Sequence, residues 1–304
     1  MLHFCLSIVL SFSILIFSGC KEHKDNKVTI DFSQKDITNY RINQDSANTF
    51  KVAISAMISP KRTFVYYQEL LEYLSKKNNC KIFLEQRKTY QEVNALIESG
   101  EIDFAFICSG AYVELSSKCK IDIIAVPVMN GSSTYQAYII ANKKSKINCF
   151  EDFKGKSFAY TDLLSNSGRL YSQKRLMEIG YIDKHFFSSI VYSNAHDNSI
   201  RLVNNGIVDG ATVDGLIYNY IQSHNPEEIS NIKIIEKSEK YAIPPIVSRT
   251  DKKKKLEKIR NSILQMADDK EGAAILSKLM IDRFVVGYDS SYKTIRNIRN
   301  IVNK

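Results

Sequence analysis

The sequence predicts an α/β protein of two lobes, each a mostly parallel sheet flanked by helices. Three observations predict it. Short β-prone runs alternate with helical apolar patterns from Phe50 to Val126. The alternation pauses over Tyr135 to Ala141, a β-prone stretch without helical period, and restarts at Phe150. The chain then turns back into extended structure at Ile243-Pro244-Pro245-Ile246-Val247. Repeated strand–helix alternation calls for a sheet covered on both faces, and two blocks of it make two lobes. Crossings near residues 139–141 and 240–243 assign residues 50–139 plus 243–304 to the first lobe and 140–242 to the second.

Phe50–Ile54 is the first strand, and Ser59-Pro60 opens a helix that places Phe64, Tyr67, Leu71 and Leu74 on one face. Lys81–Leu84 is a strand. Val93, Leu96 and Ile97 mark a short helix ending at Gly100. Ile102–Ile107 is a buried strand, Ser109-Gly110-Ala111-Tyr112 starts a helix, and Ile121–Val126 is again a strand. In the second block, Phe150–Gly155 forms a short helix and turn, and Ser157–Tyr160 a strand. A helix begins at Gly168 and stops at Gly180. Ser189–Tyr192 is a strand, Asn198–Asn204 a helix, and Val208–Thr212 and Ile232–Ile235 are strands; Leu256–Lys278 is largely helical.

The loop Ser165-Asn166-Ser167-Gly168 carries the strongest chemical signal, because it joins the strand at Ser157–Tyr160 to the helix after it. Unpaired backbone N–H groups and the positive end of the helix dipole meet there, and hydroxyl and amide side chains add donors. An anion site and an ordinary N-cap both fit this composition.

The 304 residues suffice for two modest lobes with their own cores. Net charge is +9, and residues 251–304 hold 13 Lys or Arg against 7 Asp or Glu. The Lys252–Lys255 run is expected to be a solvated helix start. No aromatic residues interleave with it, so a nucleic-acid partner is not expected. An anionic ligand or membrane suits the positive field.

Leu6 to Phe17 is almost wholly apolar and leads into Phe17-Ser18-Gly19-Cys20. This is the grammar of a secretory leader, and it resembles a bacterial lipoprotein signal. The resemblance implies a signal peptide over residues 1–19, lipidation at Cys20 and a polar tether over residues 20–49. The leader has no Lys or Arg ahead of its apolar run, and Phe17 is bulky for its place. Cys80, Cys108, Cys119 and Cys149 form no CxxC pair and have no nearby His, so neither a metal site nor a cofactor is expected. Three full disulfide pairings are open to four cysteines; Cys108 reads as a buried free thiol.

Further landmarks occur in order: Ser59-Pro60, Tyr67-Gln68, Tyr90, Asp103-Phe104-Ala105-Phe106, Tyr112-Val113, Phe153-Lys154-Gly155-Lys156, Ser165–Gly168, His196-Asp197 and Asp209-Gly210-Ala211-Thr212. Together they resemble the phosphate/phosphite/phosphonate substrate-binding proteins of ABC transporters, over most of the chain from Lys51 to Asp282. The resemblance implies a type II periplasmic-binding-protein-like fold and a receptor that passes a small phosphorus oxyanion to a permease with its ATPase. It implies a monomer exported to the periplasm or cell exterior and held to a membrane by its lipid. Ser165, Asn166, Ser167, Gly168, His196, Tyr112 and Tyr90 are the implied ligand-binding residues. His196 could equally be a loop histidine capping its helix, and Tyr90 a core residue. Asp197 is expected to cap that helix or orient His196, since a bare carboxylate repels an anion.

Where this family often has Gly-Pro the chain has Cys108-Ser109, Asn166 replaces a Thr, and Pro244-Pro245 replaces Asp-Pro. Acidic groups that hold a ligand's amine in some relatives are replaced by Pro244 and Leu216, with Asp214 nearby. The cargo is therefore expected to lack an amine. A sensor of the same fold, serving a separate signalling protein, is the alternative function. An enzyme is not expected: no catalytic motif is present, and Ser167 with His196 lies among anion donors instead of on a nucleophile elbow.

Overall fold

The computed structural model describes residues 48–302. The leader, Cys20 and nearly all of the 20–49 tether lie outside the described residues. In chain order the elements are β1 (Thr49–Ile54), α1 (Pro60–Lys77), β2 (Lys81–Glu85), α2 (Tyr90–Ser99), β3 (Phe104–Phe106), α3 (Ser109–Ser116) and β4 (Ile121–Val128). The chain continues through β5 (Thr134–Tyr135), β6 (Ala137–Asn142), β7 (Ser157–Tyr160), α4 (Tyr171–Glu178), α5 (Asp183–Phe186), β8 (Ser189–Tyr192), α6 (His196–Asn204) and β9 (Gly210–Asp214). It ends with α7 (Gly215–His224), β10 (Ile232–Lys237), β11 (Tyr241–Ala242), β12 (Ile246–Arg249), α8 (Glu257–Leu264), α9 (Lys270–Lys278), β13 (Arg283–Val285) and α10 (Lys293–Val302).

Local chemistry sets many boundaries. At α2, the Thr89 hydroxyl accepts from the Glu92 N–H while the Glu92 carboxylate accepts from the Thr89 N–H, a reciprocal capping box. Gly100 ends the same helix at φ +78°, a conformation that costs glycine little. β3 is shorter than expected because Asp103 is pulled into a polar knot. Its carboxylate accepts from the Lys51 N–H and meets the Lys252 and Lys255 ammoniums at 3.2 and 2.8 Å. Burial alone would raise the Asp103 pKa, but the lysines and the Lys51 N–H outweigh it and hold the group below its ordinary value. The lysine run is thus partly spent on a buried carboxylate and is not simply a solvated face.

The first lobe holds a six-stranded sheet in the order β13-β4-β12-β3-β1-β2, and the second a five-stranded sheet in the order β10-β6-β9-β7-β8. Four of six and four of five strands share one direction, as the pairings require. In each sheet the strand arriving from the other lobe, β12 or β6, runs in reverse. The reason is geometric: the parallel strands point their carboxyl ends at the cleft, and a strand that enters from the cleft must run away from it. The βα loops of both lobes therefore face each other, where ligands of such sheets bind. Between the lobes β5 and β11 form a short antiparallel ladder, Tyr135 opposite Tyr241 and Thr134 opposite Ala242.

Three features differ from the sequence expectation. The long helix expected over Leu256–Lys278 is broken between Leu264 and Lys270, where the Asp269 carboxylate caps a fresh start by accepting from the Glu271 and Gly272 N–H groups. Helix α7, between the strands expected at Val208–Thr212 and Ile232–Ile235, was not expected; Asp214 is its N-cap, accepting from the Leu216 N–H at 2.7 Å. Helix α10 buries Ile295 and Ile298 and packs on α3 of the first lobe and α4 of the second, with Arg299 paired to Glu114. The carboxyl end thus rests on both lobes, not on the first alone.

Candidate functional site

Strand β7 ends at Tyr160, and Thr161 to Leu170 form the turn that opens α4. The Ser165 hydroxyl accepts from the Gly168 N–H at 2.9 Å, and the Leu170 N–H reaches back to the Ser165 carbonyl at 3.0 Å, a π-helical step. Gly168 sits against Thr161, whose Cβ and Oγ1 would lie 2.5 Å from any added Cβ. The turn can close this tightly only with glycine there. Ser165 is therefore an N-cap. The Asn166 amide donates to the Tyr135 hydroxyl at 3.1 Å, which ties the turn to the hinge. That bond uses one of the two amide N–H groups, and the side-chain oxygen is buried without a partner among the described residues. Ser167 differs from Ser165: its hydroxyl is buried without a hydrogen-bond partner among the described residues, while its carbonyl accepts from the Thr212 hydroxyl at 2.6 Å.

His196 is the first residue of α6. The Asp214 N–H donates to its Nδ1 at 3.1 Å, and the Thr161 hydroxyl lies 3.0 Å from the same nitrogen. A backbone N–H can only donate, so Nδ1 is the acceptor and the ring proton sits on Nε2. Nε2 is fully buried and has no partner among the described residues. Burial pushes the imidazole pKa down to about 3, so the ring stays neutral. Its Nε2–H is a fixed donor. The same tautomer excludes His196 as a base for Ser167, because the lone pair is already engaged.

First-lobe segments meet these groups. The His196 N–H donates to the Met57 carbonyl at 3.0 Å. The Ser59 N–H and hydroxyl both donate to the Asp197 carboxylate, at 2.9 and 2.7 Å. Asp197, in the first turn of α6, thus also joins the two lobes. The Tyr90 N–H donates to the Asp162 carboxylate at 3.0 Å, a second bridge. Tyr90 is wholly buried beside Ala56, Met57 and Cys108, and its hydroxyl has no partner among the described residues. Nor has the Ser55 hydroxyl, at the end of β1. Unpartnered polar groups on Ser55, Tyr90, Asn166, Ser167 and His196 thus lie on segments that touch where the lobes meet.

Tyr112 does not join them. Its hydroxyl donates to Asp289 at 2.6 Å, its ring lies 4.5 Å from that of Tyr292, and it lines a surface cleft with Arg296. A helix residue one position away would face elsewhere; the α3 register turns Tyr112 toward the carboxyl-terminal segment. Ser55, Asp162 and Asp214 were not singled out as site residues by the sequence. Ser55 follows a β-strand like any surface serine, and only its burial marks it.

The family described as the periplasmic substrate-binding protein of the phosphonate ABC transporter matches residues 52–292. The chain belongs to this family. Among curated relatives of this phosphonate-receptor family, a probable ABC transporter phosphite-binding protein, PhnD1, of Prochlorococcus marinus is 25% identical over 183 residues, 56% of this chain and 62% of its own length. The phosphate-import protein PhnD of Mycolicibacterium smegmatis is 27% identical over 187 residues, 58% of each chain. Both matches thus span about three-fifths of the relative. A solved structure of Prochlorococcus PhnD1 with methylphosphonate superimposes with a TM-score of 0.77 at 20% identity, covering 85% of this chain and 99% of that one, and shares its fold.

Departures from the pattern of this phosphonate-receptor family have local explanations. Cys108 occupies the N-cap position of α3 without a side-chain cap bond, and burial pushes its thiol up to about 11, only partly offset by the N–H groups of Asn166, Gly110 and Ala111. The Ser109 hydroxyl donates to the Ala242 carbonyl at 2.7 Å and so fastens α3 to the hinge. The Cys108-Ser109 pair thus stabilises the joint between lobes. All four cysteines among the described residues are free thiols.

Proposed function

We propose that this protein is the extracytoplasmic substrate-binding component of an ABC transporter, capturing phosphite, phosphate or a phosphonate between its lobes. The observation that carries the reading is the set of buried, unpartnered polar groups on Ser55, Tyr90, Ser167 and His196 at the interlobe junction. A buried polar atom without a partner costs about 1–3 kcal/mol, so several of them on adjoining segments favour a ligand that completes them. A tetrahedral oxyanion offers acceptors in several directions within a small volume. His196 donates through Nε2–H, Ser167 and Ser55 through hydroxyls, and Tyr90 through its phenol. Gly168 lets the helix start approach closely. The groups arranged to hold an anion include no general base, which favours capture over turnover.

In this reading the chain acts as a monomer, delivers its cargo to a permease with its ATPase, and is held to a membrane by lipid on Cys20 after removal of residues 1–19. Hinge closure traps the cargo, with Asp197 and Asp162 as the latches.

Thermal unfolding of the whole chain in mild detergent, with phosphate, phosphite, methylphosphonate or sulfate, tests the proposal. At a hundredfold excess over Kd, a bound oxyanion adds about 2.7 kcal/mol of apparent stability. A shift with a phosphorus oxyanion, lost in His196→Ala, is expected. Equal shifts with all four anions, or none, would sink the reading. Asp197→Ala removes two hydrogen bonds to a charged group, each worth about 1.5–3 kcal/mol. It is expected to weaken the cargo at least tenfold while leaving each lobe folded, read by titration calorimetry and far-ultraviolet circular dichroism.

A further inference from the structure

A cleft of about 880 Å³ opens between α3 and α10, lined by none of the interlobe donors. In α10, Ile295 and Ile298 turn inward, and Arg296 and Arg299, three residues apart, share the neighbouring face. Both guanidiniums line the cleft and are only 29% and 23% exposed. Lys118 and Lys120, just past the end of α3, add two ammoniums. Glu114 pairs with Lys118 at 2.7 Å and also with Arg299. Asp289 pairs with Arg296 and accepts from the Tyr112 hydroxyl. These four cations thus meet two carboxylates, an excess of two positive charges. Tyr112, Val113 and Ile121 add an apolar wall, and the Arg296 guanidinium lies 5.9 Å from the centre of the Tyr112 ring.

We infer that this cleft is a second anion site and takes an organic phosphate, a phosphomonoester that carries an apolar body. Such a head group bears about −1.5 to −2 charge at pH 7, which matches the excess of cations. The planar arginine fork suits phosphate oxygens bidentately. Each guanidinium is already oriented by a carboxylate, so it loses less freedom on binding. The carboxylates do not block the head group: when the guanidiniums turn to it, Glu114 keeps Lys118 and Asp289 keeps the Tyr112 hydroxyl. The wall of Tyr112, Val113 and Ile121 gives the body a surface that a bare inorganic anion would leave unused. A soluble ester and a lipid head group present the same chemistry.

Iodoacetamide labelling of the whole chain in mild detergent, read by peptide mass spectrometry, tests this, because Cys119 lines the cleft and the exposed Cys149 does not. Phenyl phosphate and dihexanoyl phosphatidic acid are the probes, with dihexanoyl phosphatidylcholine as the control. Labelling of Cys119 is expected to slow several-fold while Cys149 reacts as before. Arg296→Gln with Arg299→Gln should raise the probe concentration needed at least tenfold, since charge-assisted hydrogen bonds are lost. Each carboxylate keeps a second partner in that variant, so it should fold, as circular dichroism would check; should it not, Lys120→Glu at the rim should weaken protection several-fold. Protection by phosphatidic acid alone assigns the site to a membrane lipid, and by phenyl phosphate alone to a soluble ester. No protection by either, equal protection by phosphatidylcholine, or protection unchanged by the substitutions would overturn the inference. Methylphosphonate at the interlobe donors is untouched by these variants, so its failure to bind would bear on the receptor reading alone.

Discussion

Gly110→Ala is expected to abolish tight closure without harming either lobe. A Cβ at this position would lie 2.2 Å from the Leu164 carbonyl oxygen and 2.8 Å from the Asn166 nitrogen, both on the opposite lobe. Those contacts are backbone and cannot rotate away. Within α3 itself alanine is the better helix former, by about 0.5–1 kcal/mol. The penalty therefore falls on the closed arrangement alone. Overpacking of this kind costs about 1–3 kcal/mol, or roughly ten- to hundredfold in cargo affinity. The melting temperature without cargo should hold or rise, while the cargo-induced shift should shrink or vanish. Small-angle scattering with saturating cargo provides a direct check: a radius of gyration that contracts as in the unaltered protein would show that the contact is relieved some other way.

A second large effect concerns pH. Burial holds His196 at about 3 against an ordinary 6.5, and holds Asp214 at about 7 against an ordinary 3.8. The Leu216 and Ile217 N–H groups only partly offset the burial of Asp214. A depressed histidine contributes stability that is present above pH 6.5 and is lost on acidification toward 3, because the unfolded chain takes up a proton that the folded one refuses. A raised carboxyl does the opposite: its contribution is full below 3.8 and is lost as pH rises through about 7. Between 3.8 and 6.5 the folded protein carries the proton on Asp214 and the unfolded chain carries it on His196. The counts match, so this pair adds no slope. Asp214→Asn keeps an N-cap for α7 and leaves the backbone bond to His196 in place, but removes the compensating group. In that variant stability should fall by about 1.4 kcal/mol more per pH unit than in the unaltered protein, on acidification from 6.5 to 4. Parallel denaturant-midpoint profiles for the two proteins would refute the pairing. Tyr67, beside Asp214, titrates near 12 and Cys108 near 11, so neither contributes in this window.

The strand–helix alternation was legible in the sequence because each element carries its own period and punctuation, as in Thr89, Glu92 and Gly100 around α2. The loop from Ser165 to Gly168 was also legible as a strand-to-helix turn. What could not be read is which of its side chains remain free. Ser165 and Ser167 look alike in sequence, yet one caps its own turn and the other keeps an unpartnered hydroxyl. That difference is set by Thr212 and Thr161, from another strand and the preceding turn. Tyr112 turns away from these groups for a similar reason, since the face of α3 it occupies is decided by Tyr292 and by Asp289, the latter 177 residues further on. The partner of Asp197, Ser59, lies 138 residues away. Pairings over such separations leave no local periodicity, so they emerge only from the folded arrangement.

The two passages of the chain between lobes run side by side. The Ala137 N–H donates to the Ser238 hydroxyl at 2.8 Å, and the Ser238 N–H donates to the Ala137 carbonyl at 2.9 Å. The whole second lobe thus leaves and returns through a gap about one strand spacing wide, ~4.8 Å. In architectural terms it is a cassette. Cutting at these two neighbouring residues and grafting the equivalent segment of a relative would exchange His196, Ser167 and Leu216 together, while Tyr90, Ser55 and Pro244 stay behind. The polar groups of one lobe would then travel as one unit, and new preferences could arise by recombining halves instead of by rebuilding the cleft residue by residue.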